Sequence, residues 1–452
     1  MPGSSHDGSK AVLRRFGKLI HEGWFVEGDE QSNQSRRALI VHNITANMVA
    51  SLIGGNFLAG FMLLLKADDG FVGLITTLTF GGNLLQLLAP YLLERFERRK
   101  PLLIGIRCLM HLVNIVFIGL IPFAPVGAQA RLGILAFSVF LVNALNAFLG
   151  PGQSIWHIAH IPSRVRVQYF STVTMLNGIA VALLNLLASL AVDRMRAAGH
   201  ELWGLEALRV LALLIAVVDV AMLVRIKELP PSAPVHRVRL RDLFVEPWHN
   251  KPYLRSVLTV VLWSLLVNMP GQYYTVYLLR ELNVSYAYIN AVALLNVPIL
   301  ILMTPLWRAV YLKWSWMRPL SVCVMLLAPH YFLLAFASGR LVFLYIIGMV
   351  WWFVFISGVN LAFSSIAYMN LPEQHQTLYF SFYSTANFLA AVLTSIVART
   401  FVTGLGGLRF TLLGVSFGEK QLLMLVVGIS MLGVGAAIRA LARRNRAQGL
   451  NY

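Results

Sequence analysis

Amide and hydroxyl side chains recur every four residues within apolar segments of this sequence. They form two series: Asn43, Asn47 and Ser51, and then Ser264, Asn268 and Gln272. Because an α-helix makes one turn in about 3.6 residues, each series lies on one helix face. Polar groups in an apolar environment need hydrogen-bond partners. Each face is therefore expected either to bond a neighbouring helix or to contact a polar ligand.

An aromatic ring lies beside the second of these faces, and a further amide lies within another apolar segment. Tyr273 directly follows Gln272, and Asn143 lies in another apolar segment. Rings beside amides suit a polar, uncharged ligand, because rings stack on the ligand while amides orient its hydroxyl groups. The alternative is that the ring packs against lipid or another helix.

Ionisable residues within the apolar segments are few. Asp219 is the clearest acid, and such a group is a functional candidate by default, here as a possible proton site. The alternative places Asp219 near a helix end, within reach of Arg225. His157 and His160 offer too few ligands for a metal site, and no phosphate-binding loop occurs. We expect no metal, no cofactor and no enzymatic activity.

The composition indicates the solvent in which this chain folds. Of 452 residues, 58% are hydrophobic and 12% are charged, whereas soluble chains average about 25% charged residues. A soluble protein could not bury so much apolar surface, so the bilayer is the expected solvent. The net charge of +18 fits basic loops on one side of a membrane. Nucleic acid is not an expected partner, since no segment is long and polar enough to form a basic soluble domain.

Apolar runs of about 20 residues predict an all-α membrane protein with about twelve transmembrane helices in two six-helix bundles. The predicted divisions are a tail at 1–37 with a possible interfacial helix, a first bundle at 38–226, a linker at 227–252, a second bundle at 253–441 and a tail at 442–452. Lys and Arg concentrate in the loops on the side of both tails. This bias predicts a multi-pass protein of the cell membrane with both termini in the cytoplasm.

One phrase of the sequence occurs twice. "IPSRVRVQYFS" starts at Ile161 and "LPEQHQTLYFS" starts at Leu371, a separation of 210 residues. Pro is tolerated in the first turn of a helix, where it presets the backbone angle. The repeat therefore predicts one structural joint, the start of a helix, used once in each half of the chain.

The segment "PYLLERFERRKPLL", which starts at Pro90, carries a family resemblance. It resembles the signature loop of the major facilitator superfamily, Gly-x-Leu-Ala-Asp-Arg-x-Gly-Arg-Arg/Lys-x-x-Leu. Leu92, Arg95, Arg98, Arg99 and Leu102 match, and Glu94 stands in place of the Asp. Pro90 and Glu97 occupy the two glycine positions, and glycine permits turns that other residues resist. A second similarity is the family's Pro-x-x-x-Arg at the start of helix 5, matched by Pro162 and Arg166.

The resemblance implies two six-helix bundles that rock about a central cavity lined by helices 1, 4, 7 and 10. The cavity residues it implies are Asn47, Ser51, Asn143, Asn268, Gln272 and Tyr273. It also implies that Glu94 and Arg95 belong to a charge cluster that closes the cytoplasmic side. We assign Arg98, Arg166 and Glu373 to the same gate, because the first copy of the repeat is basic and the second carries an acid. The alternative for these charges is that they only fix the topology.

The function implied by the resemblance is membrane transport by a monomer whose partners are a solute and the lipid bilayer. The amide faces favour a small, polar, uncharged solute that crosses by alternating access. Two alternatives stay open. One is efflux of hydrophobic compounds, suggested by the many aromatic and Met residues. The other is a membrane sensor that keeps the fold without transport, suggested by the replaced glycines of the signature loop.

Overall fold

The computed structural model describes residues 30–93, 96, 98–161, 166–228, 247–314, 316–338, 341–366, 376–412 and 415–447. Within these ranges the chain is almost entirely helical. The exception is a hairpin of two short antiparallel strands, β1 (Phe410–Leu412) and β2 (Val415–Phe417). The all-α membrane class predicted from the composition is confirmed.

The described part of the first half contains eight α-helices of five residues or more. They are α1 (Glu30–Ile53), α2 (Gly55–Leu64), α3 (Asp69–Asn83), α4 (Ala89–Leu93), α5 (Arg99–His111), α6 (Ala128–His160), α7 (Arg166–Ala197) and α8 (Glu201–Arg225). A 3₁₀ turn at Leu84–Leu88 joins α3 to α4. Helix α5 continues through a π-helical turn at Leu112–Phe117 and two short turns to Phe123.

Nine α-helices of five residues or more lie in the described part of the second half. They are α9 (Lys251–Val267), α10 (Gly271–Val276), α11 (Tyr286–Leu294), α12 (Asn296–Lys313), α13 (Met317–Leu326), α14 (Ala328–Ala335), α15 (Phe343–Ile366), α16 (Gln376–Gly404) and α17 (Glu419–Ala447). A π-helical turn at Tyr277–Glu281 extends α10.

In the described ranges, 11 helical segments are long and apolar enough to cross a membrane. The predicted seventh span is not among them, because α9 and α10 are separated by a break and each piece is short. The two pieces and the π-helical turn nevertheless follow one another from Lys251 to Glu281. The break therefore accounts for the difference between 11 segments and the expected count of about twelve.

The helices of each half pack mainly with one another. In the first half α1 lies against α7 and α8, and α3 lies against α6. In the second half α12 packs on α15, and α17 packs on α13 and α14. The two halves meet where α3 lies along α16 and where α7 contacts α11.

The helices that follow the repeated phrase begin at matching positions. Helix α7 begins at Arg166 and α16 begins at Gln376, the same offset of 210 residues that separates the two phrases. The tyrosines of the repeat, Tyr169 and Tyr379, are both buried. Pro162 and Pro372 lie outside the described residues.

The bundle has two ends, which we name by their residues. The near end contains Ser35, Arg99 and Lys227, and the far end contains Asp69, Glu281 and Lys420. Hydrogen bonds fasten the near end of the first half: Arg36 Nε donates to the His160 carbonyl at 2.7 Å. The Glu228 carboxylate accepts from the backbone N–H groups of Arg99 and Lys100 at the start of α5. The first half is therefore held together as a unit at this end.

Candidate functional site

The first predicted span is interrupted near its middle. Helix α1 ends at Ile53, Gly54 is extended, and α2 begins at Gly55 with φ of +49°. That φ lies in the left-handed region, which glycine adopts without a steric penalty. A Cβ on Gly54 would lie 2.7 Å from the Ala50 carbonyl oxygen. The two glycines therefore permit a break that other residues would resist.

The predicted seventh span is interrupted in the same way. Helix α9 ends at Val267, and α10 begins at Gly271 with φ of +45°. Pro270 lacks a backbone donor and so cannot continue the hydrogen-bond ladder of α9. Interrupted spans are where many transporters bind solutes, because free backbone groups and helix ends face the cavity there.

Two predicted cavity residues lie on α1, on the N-terminal side of the break at Gly54. Asn47 is exposed, and its Nδ2 donates to the Asn43 carbonyl at 2.8 Å. Ser51 is half-buried and donates to the Met48 carbonyl at 2.9 Å. Other faces of α1 pack on α7 and α8. An exposed amide in the middle of a span is costly in lipid, so this face is expected to meet water or solute between the halves.

Two more predicted cavity residues flank the break between α9 and α10. Asn268 is half-buried and donates from Nδ2 to the Ser264 carbonyl at 3.0 Å. The Ser264 hydroxyl bonds the side chain of Asn387 in α16. Gln272 lies in α10, but its side chain is outside the described residues. Asn268 is thus placed at the end of α9, directly before the break.

The structure places Asn143 and Tyr273 in helix-to-helix contacts. Asn143 Oδ1 accepts from Asn83 Nδ2 at 3.2 Å, which links α6 to α3. The Tyr273 hydroxyl donates to the Asp69 carbonyl at 2.9 Å, and this side chain is only 2% exposed. Tyr273 therefore lies in the contact between the two halves at the far end.

A lysine of the second half forms the centre of an ionic cluster at the far end. Lys420 Nζ lies 2.7 Å from Asp69 Oδ2, 2.7 Å from Glu281 Oε1 and 3.1 Å from Glu419 Oε1. Arg280 pairs with the other carboxylate oxygen of Asp69. Lys420 itself is only 1% exposed. Because Asp69 belongs to the first half and the others to the second, this far-end cluster holds the halves together.

A second contact between the halves joins α7 to the start of α11. The Asp193 carboxylate accepts from the backbone N–H groups of Tyr286 at 3.0 Å and Ala287 at 2.7 Å. It therefore caps α11 with a negative charge, as helix N-termini favour. The Tyr286 hydroxyl donates to Glu201 at 2.8 Å, and Arg196 Nη2 donates to Asn283 at 2.9 Å.

Glycines allow the halves to approach closely at the far end. A Cβ on Gly60 would lie 1.6 Å from the Tyr286 hydroxyl oxygen. A Cβ on Gly73 would lie 2.2 Å from the Tyr273 hydroxyl oxygen and 2.8 Å from Arg399 Cβ. Neither separation is sterically possible: a Cβ at Gly60 would displace the Tyr286 ring, and one at Gly73 would also clash with Arg399 Cβ, which the backbone of α16 holds in place.

Comparison with known protein families decides the identity of this fold. The model of the Major Facilitator Superfamily matches residues 42–395. The chain belongs to this superfamily. No curated protein sequence matches the chain.

Solved transporters of the superfamily share the fold with little sequence identity. A point mutant of the nucleoside transporter NupG aligns with a TM-score of 0.66 and 11% identity, over 90% of this chain and 99% of its own. The D-xylose-proton symporter aligns with a TM-score of 0.66 and 10% identity, over 90% and 96%. A POT family transporter in complex with 5-aminolevulinic acid aligns with a TM-score of 0.65 and 10% identity, over 94% and 99%. These structures show that the chain has the fold of known transporters, and the family match makes it a transporter of the superfamily.

The signature-loop residues of this superfamily member are only partly described. Glu94, Arg95 and Glu373 lie outside the described residues, and so does the side chain of Arg166, the first residue of α7. Arg98 is exposed and occupies the N-cap position of α5. The gate assignment of these five residues stays a prediction.

Asp219 lies in a buried ionic cluster within the first half of this superfamily member. Its Oδ1 is 2.7 Å from His42 Nδ1 and 3.2 Å from Thr45 Oγ1. Its Oδ2 is 2.7 Å from Arg107 Nε and 2.8 Å from His111 Nε2. The carboxylate therefore joins α8 to α1 and α5 through four side chains. The sequence had suggested a different partner, Arg225.

Replacing Asp219 with Ala is expected to destabilise the first half strongly. Removal of one partner from a buried ion pair costs about 3–5 kcal/mol, because the remaining charge stays buried without compensation. We expect a large fall in the thermal unfolding temperature of the purified protein. The unfolding temperature of Asp219→Asn should fall less, since the amide oxygen still accepts hydrogen bonds. The anchoring role would be contradicted if Asp219→Asn were as stable as the wild type. If that variant also lost the response of transport to a proton gradient, a proton site would be favoured.

Proposed function

We propose that this chain carries a small, polar, uncharged solute across the cell membrane by alternating access, with the near end and both termini in the cytoplasm. The observation that carries the proposal is the exposed amide face of α1 beside the break that interrupts its span. Asn47 and Ser51 lie on that face, and Asn268 lies at the matching break between α9 and α10. Amides and hydroxyls donate and accept hydrogen bonds without carrying a charge.

The chemistry of these faces favours hydroxyl-bearing solutes over ionic ones. An anionic or cationic solute would need a compensating charge, because burial of an unpaired charge is costly. The described polar side chains beside the breaks in α1 and α9 are amides and hydroxyls: Asn47, Ser51, Ser264 and Asn268. Among the similar structures, the nucleoside transporter and the D-xylose symporter are named for solutes of this kind. Nucleosides and pentoses are therefore the first solutes to test.

The far-end contacts support alternating access as the mechanism. The Lys420 cluster and the Asp193 cap both connect the two halves of the chain. Opening of the far end requires these contacts to break, and their loss must be offset by contacts elsewhere. We propose that the bundles at 38–226 and 253–441 rock against each other, and that Glu94, Arg95, Arg98, Arg166 and Glu373 close the near end in the opposite state.

The solute assignment is tested by uptake into vesicles that contain the purified protein. We expect uptake of D-xylose or of a nucleoside by the wild-type chain. The double variant Asn47→Ala with Asn268→Ala should lower uptake about tenfold or more, because each lost hydrogen bond costs about 1 kcal/mol. Thr304→Ala is the matched control, since its exposed hydroxyl also bonds its own helix, at Leu300, and that helix, α12, packs mainly on α15.

The alternative functions predict different results in the same vesicles. Movement of a hydrophobic dye without uptake of any polar solute would favour efflux of hydrophobic compounds. No flux of either class, with binding retained, would favour a sensor. Unchanged uptake by the double variant would show that these amides do not contact the solute.

A further inference from the structure

A cavity of about 330 Å³ opens on the second half of the chain at its near end. It lies between the end of α12, the start of α13 and the last turns of α17. Its lining includes two indole rings and three guanidinium groups: Trp307, Trp314, Arg318, Arg439 and Arg443. This cavity is remote from the breaks in the first and seventh spans, and transport as proposed above makes no use of it.

The three arginines of this cavity are not neutralised within the described part of the chain. Among the described residues, no hydrogen bond or ion pair joins the guanidinium group of Arg318, Arg439 or Arg443 to another side chain, whereas Lys420 at the far end has three carboxylate partners. Arg439 and Arg443 are exposed, and Arg318 is half-buried. Three like charges around one cavity repel each other, so an anion in the cavity would relieve that repulsion.

Helix packing fixes the positions of these arginines. A Cβ on Gly435 of α17 would lie 2.9 Å from the Ser321 carbonyl oxygen of α13, so the two helices are in close contact there. Arg439 lies one turn further along α17, and Arg318 lies about one turn before Ser321 in α13. The cavity wall is also fixed, because Trp307 Nε1 donates to the Val354 carbonyl at 2.8 Å. The cavity is thus built by packed helices and not by a loose surface loop.

An apolar surface extends from the cavity toward the middle of the bundle. On α12, Leu302 is 68% exposed, Leu306 is 58% exposed and Val310 is 37% exposed. Val322 on α13 is also exposed. In a membrane-spanning protein an exposed apolar helix face meets lipid chains. Trp314 at the end of this surface matches the interfacial position that Trp prefers.

We propose that this cavity binds the headgroup of an anionic phospholipid. The phosphate would lie among Arg318, Arg439 and Arg443, since guanidinium groups bind phosphate oxygens in a bidentate manner. The indole rings of Trp307 and Trp314 would cover the glycerol region, and the acyl chains would lie along α12. Basic cavities between transmembrane helices are suited to such headgroups.

The test compares lipid binding by the full chain and two charge-matched triple variants. Purified protein in detergent is mixed with phosphatidylglycerol or phosphatidylcholine, and bound lipid is counted by native mass spectrometry. The wild type should retain phosphatidylglycerol in preference to phosphatidylcholine. The variant Arg318→Gln, Arg439→Gln and Arg443→Gln should lose this preference, by about fivefold for each arginine removed.

The control variant removes three cations from the same end outside the cavity: Arg308→Gln, Lys313→Gln and Arg444→Gln. It should keep the wild-type preference. A variant with Lys at the three cavity positions should keep part of it, which separates loss of charge from misfolding. Equal loss of the preference in both Gln variants would overturn the site. Displacement of the lipid by soluble glycerol phosphate at equal concentration would overturn the lipid as the ligand, because the acyl chains would then add nothing.

Discussion

Replacement of Lys420 with Met is expected to open the far end and to reduce transport at least tenfold. The ammonium group contacts Asp69, Glu281 and Glu419 and is almost completely buried. Without it, three carboxylates face each other, and Arg280 is paired with Asp69 alone among the described carboxylates. Loss of a buried charge partner costs about 3 kcal/mol or more, which is over a hundredfold in the equilibrium between closed and open far ends.

The state of the far end can be read from the labelling of one engineered cysteine. Asn56, which contacts Thr275 across the halves, is changed to Cys after Cys108 and Cys323 are replaced by Ala. A maleimide that does not cross membranes should label this site faster in Lys420→Met than in the parent. Lys420→Arg keeps the charge and should label slowly. Lys66→Met removes an exposed cation at the same end and should also label slowly. Equal rates in all four proteins would mean that the cluster does not hold the far end closed.

Replacement of Gly73 with Val is expected to prevent closure of the far end by steric exclusion. The new Cβ would lie 2.2 Å from the Tyr273 hydroxyl oxygen and 2.8 Å from Arg399 Cβ. Tyr273 can rotate, but Arg399 Cβ is fixed by the backbone of α16. Overpacking of this kind costs about 1–3 kcal/mol, and here that cost falls on the closed state alone. We expect transport to fall at least tenfold while the thermal stability of the protein changes little.

A second glycine of the same helix provides the control for Gly73→Val. Gly81 also lies in α3, and a Cβ there would meet nothing within 4 Å. Gly81→Val should therefore transport and label like the wild type. Adding Tyr273→Phe to Gly73→Val removes the hydroxyl and should restore part of the transport. If transport falls equally in Gly73→Val and Gly81→Val, a general effect of valine in α3, and not the contact between the halves, is responsible.

The membrane class and the two-fold repetition of the helices were accessible from the sequence because both depend on local patterns. The low charge content excludes a soluble core, and the repeated phrase correctly marks the starts of α7 and α16. The superfamily suggested by "PYLLERFERRKPLL" is confirmed by the family match over 42–395. Each of these features can be recognised from composition or from short sequence motifs.

The break in the seventh span has a local cause that hydropathy does not show. No charged residue lies near Met269-Pro270-Gly271, so hydropathy alone predicts one continuous helix. Pro and Gly in succession indicate a turn or a break. The Pro270-Gly271 dipeptide and the Gly54-Gly55 dipeptide of the first span are therefore the sequence features that indicate the two breaks.

The ionic clusters could not be predicted from local patterns, because they join residues that are distant in sequence. Lys420 and Asp69 are separated by 351 residues, and Asp219 and Arg107 by 112 residues. The sequence showed Asp219 as an isolated acid with Arg225 as its neighbour, and only the packing of α1, α5 and α8 brings His42, Arg107 and His111 to it. Ion pairs between residues that are distant in sequence follow from tertiary packing and produce no periodic pattern in the sequence.

The most direct test of alternating access is a reversible covalent lock on the far end. Asn56 and Thr275, whose side chains meet at 3.4 Å across the halves, are both changed to Cys in the cysteine-free protein. The protein is placed in vesicles, oxidised and then reduced, and uptake of D-xylose and of nucleosides is measured at each stage. We expect oxidation to abolish the uptake shown by the unoxidised protein and reduction to restore it, because solute cannot cross when one end stays closed. Uptake that continues at its original rate with the disulfide formed would contradict alternating access in this transporter.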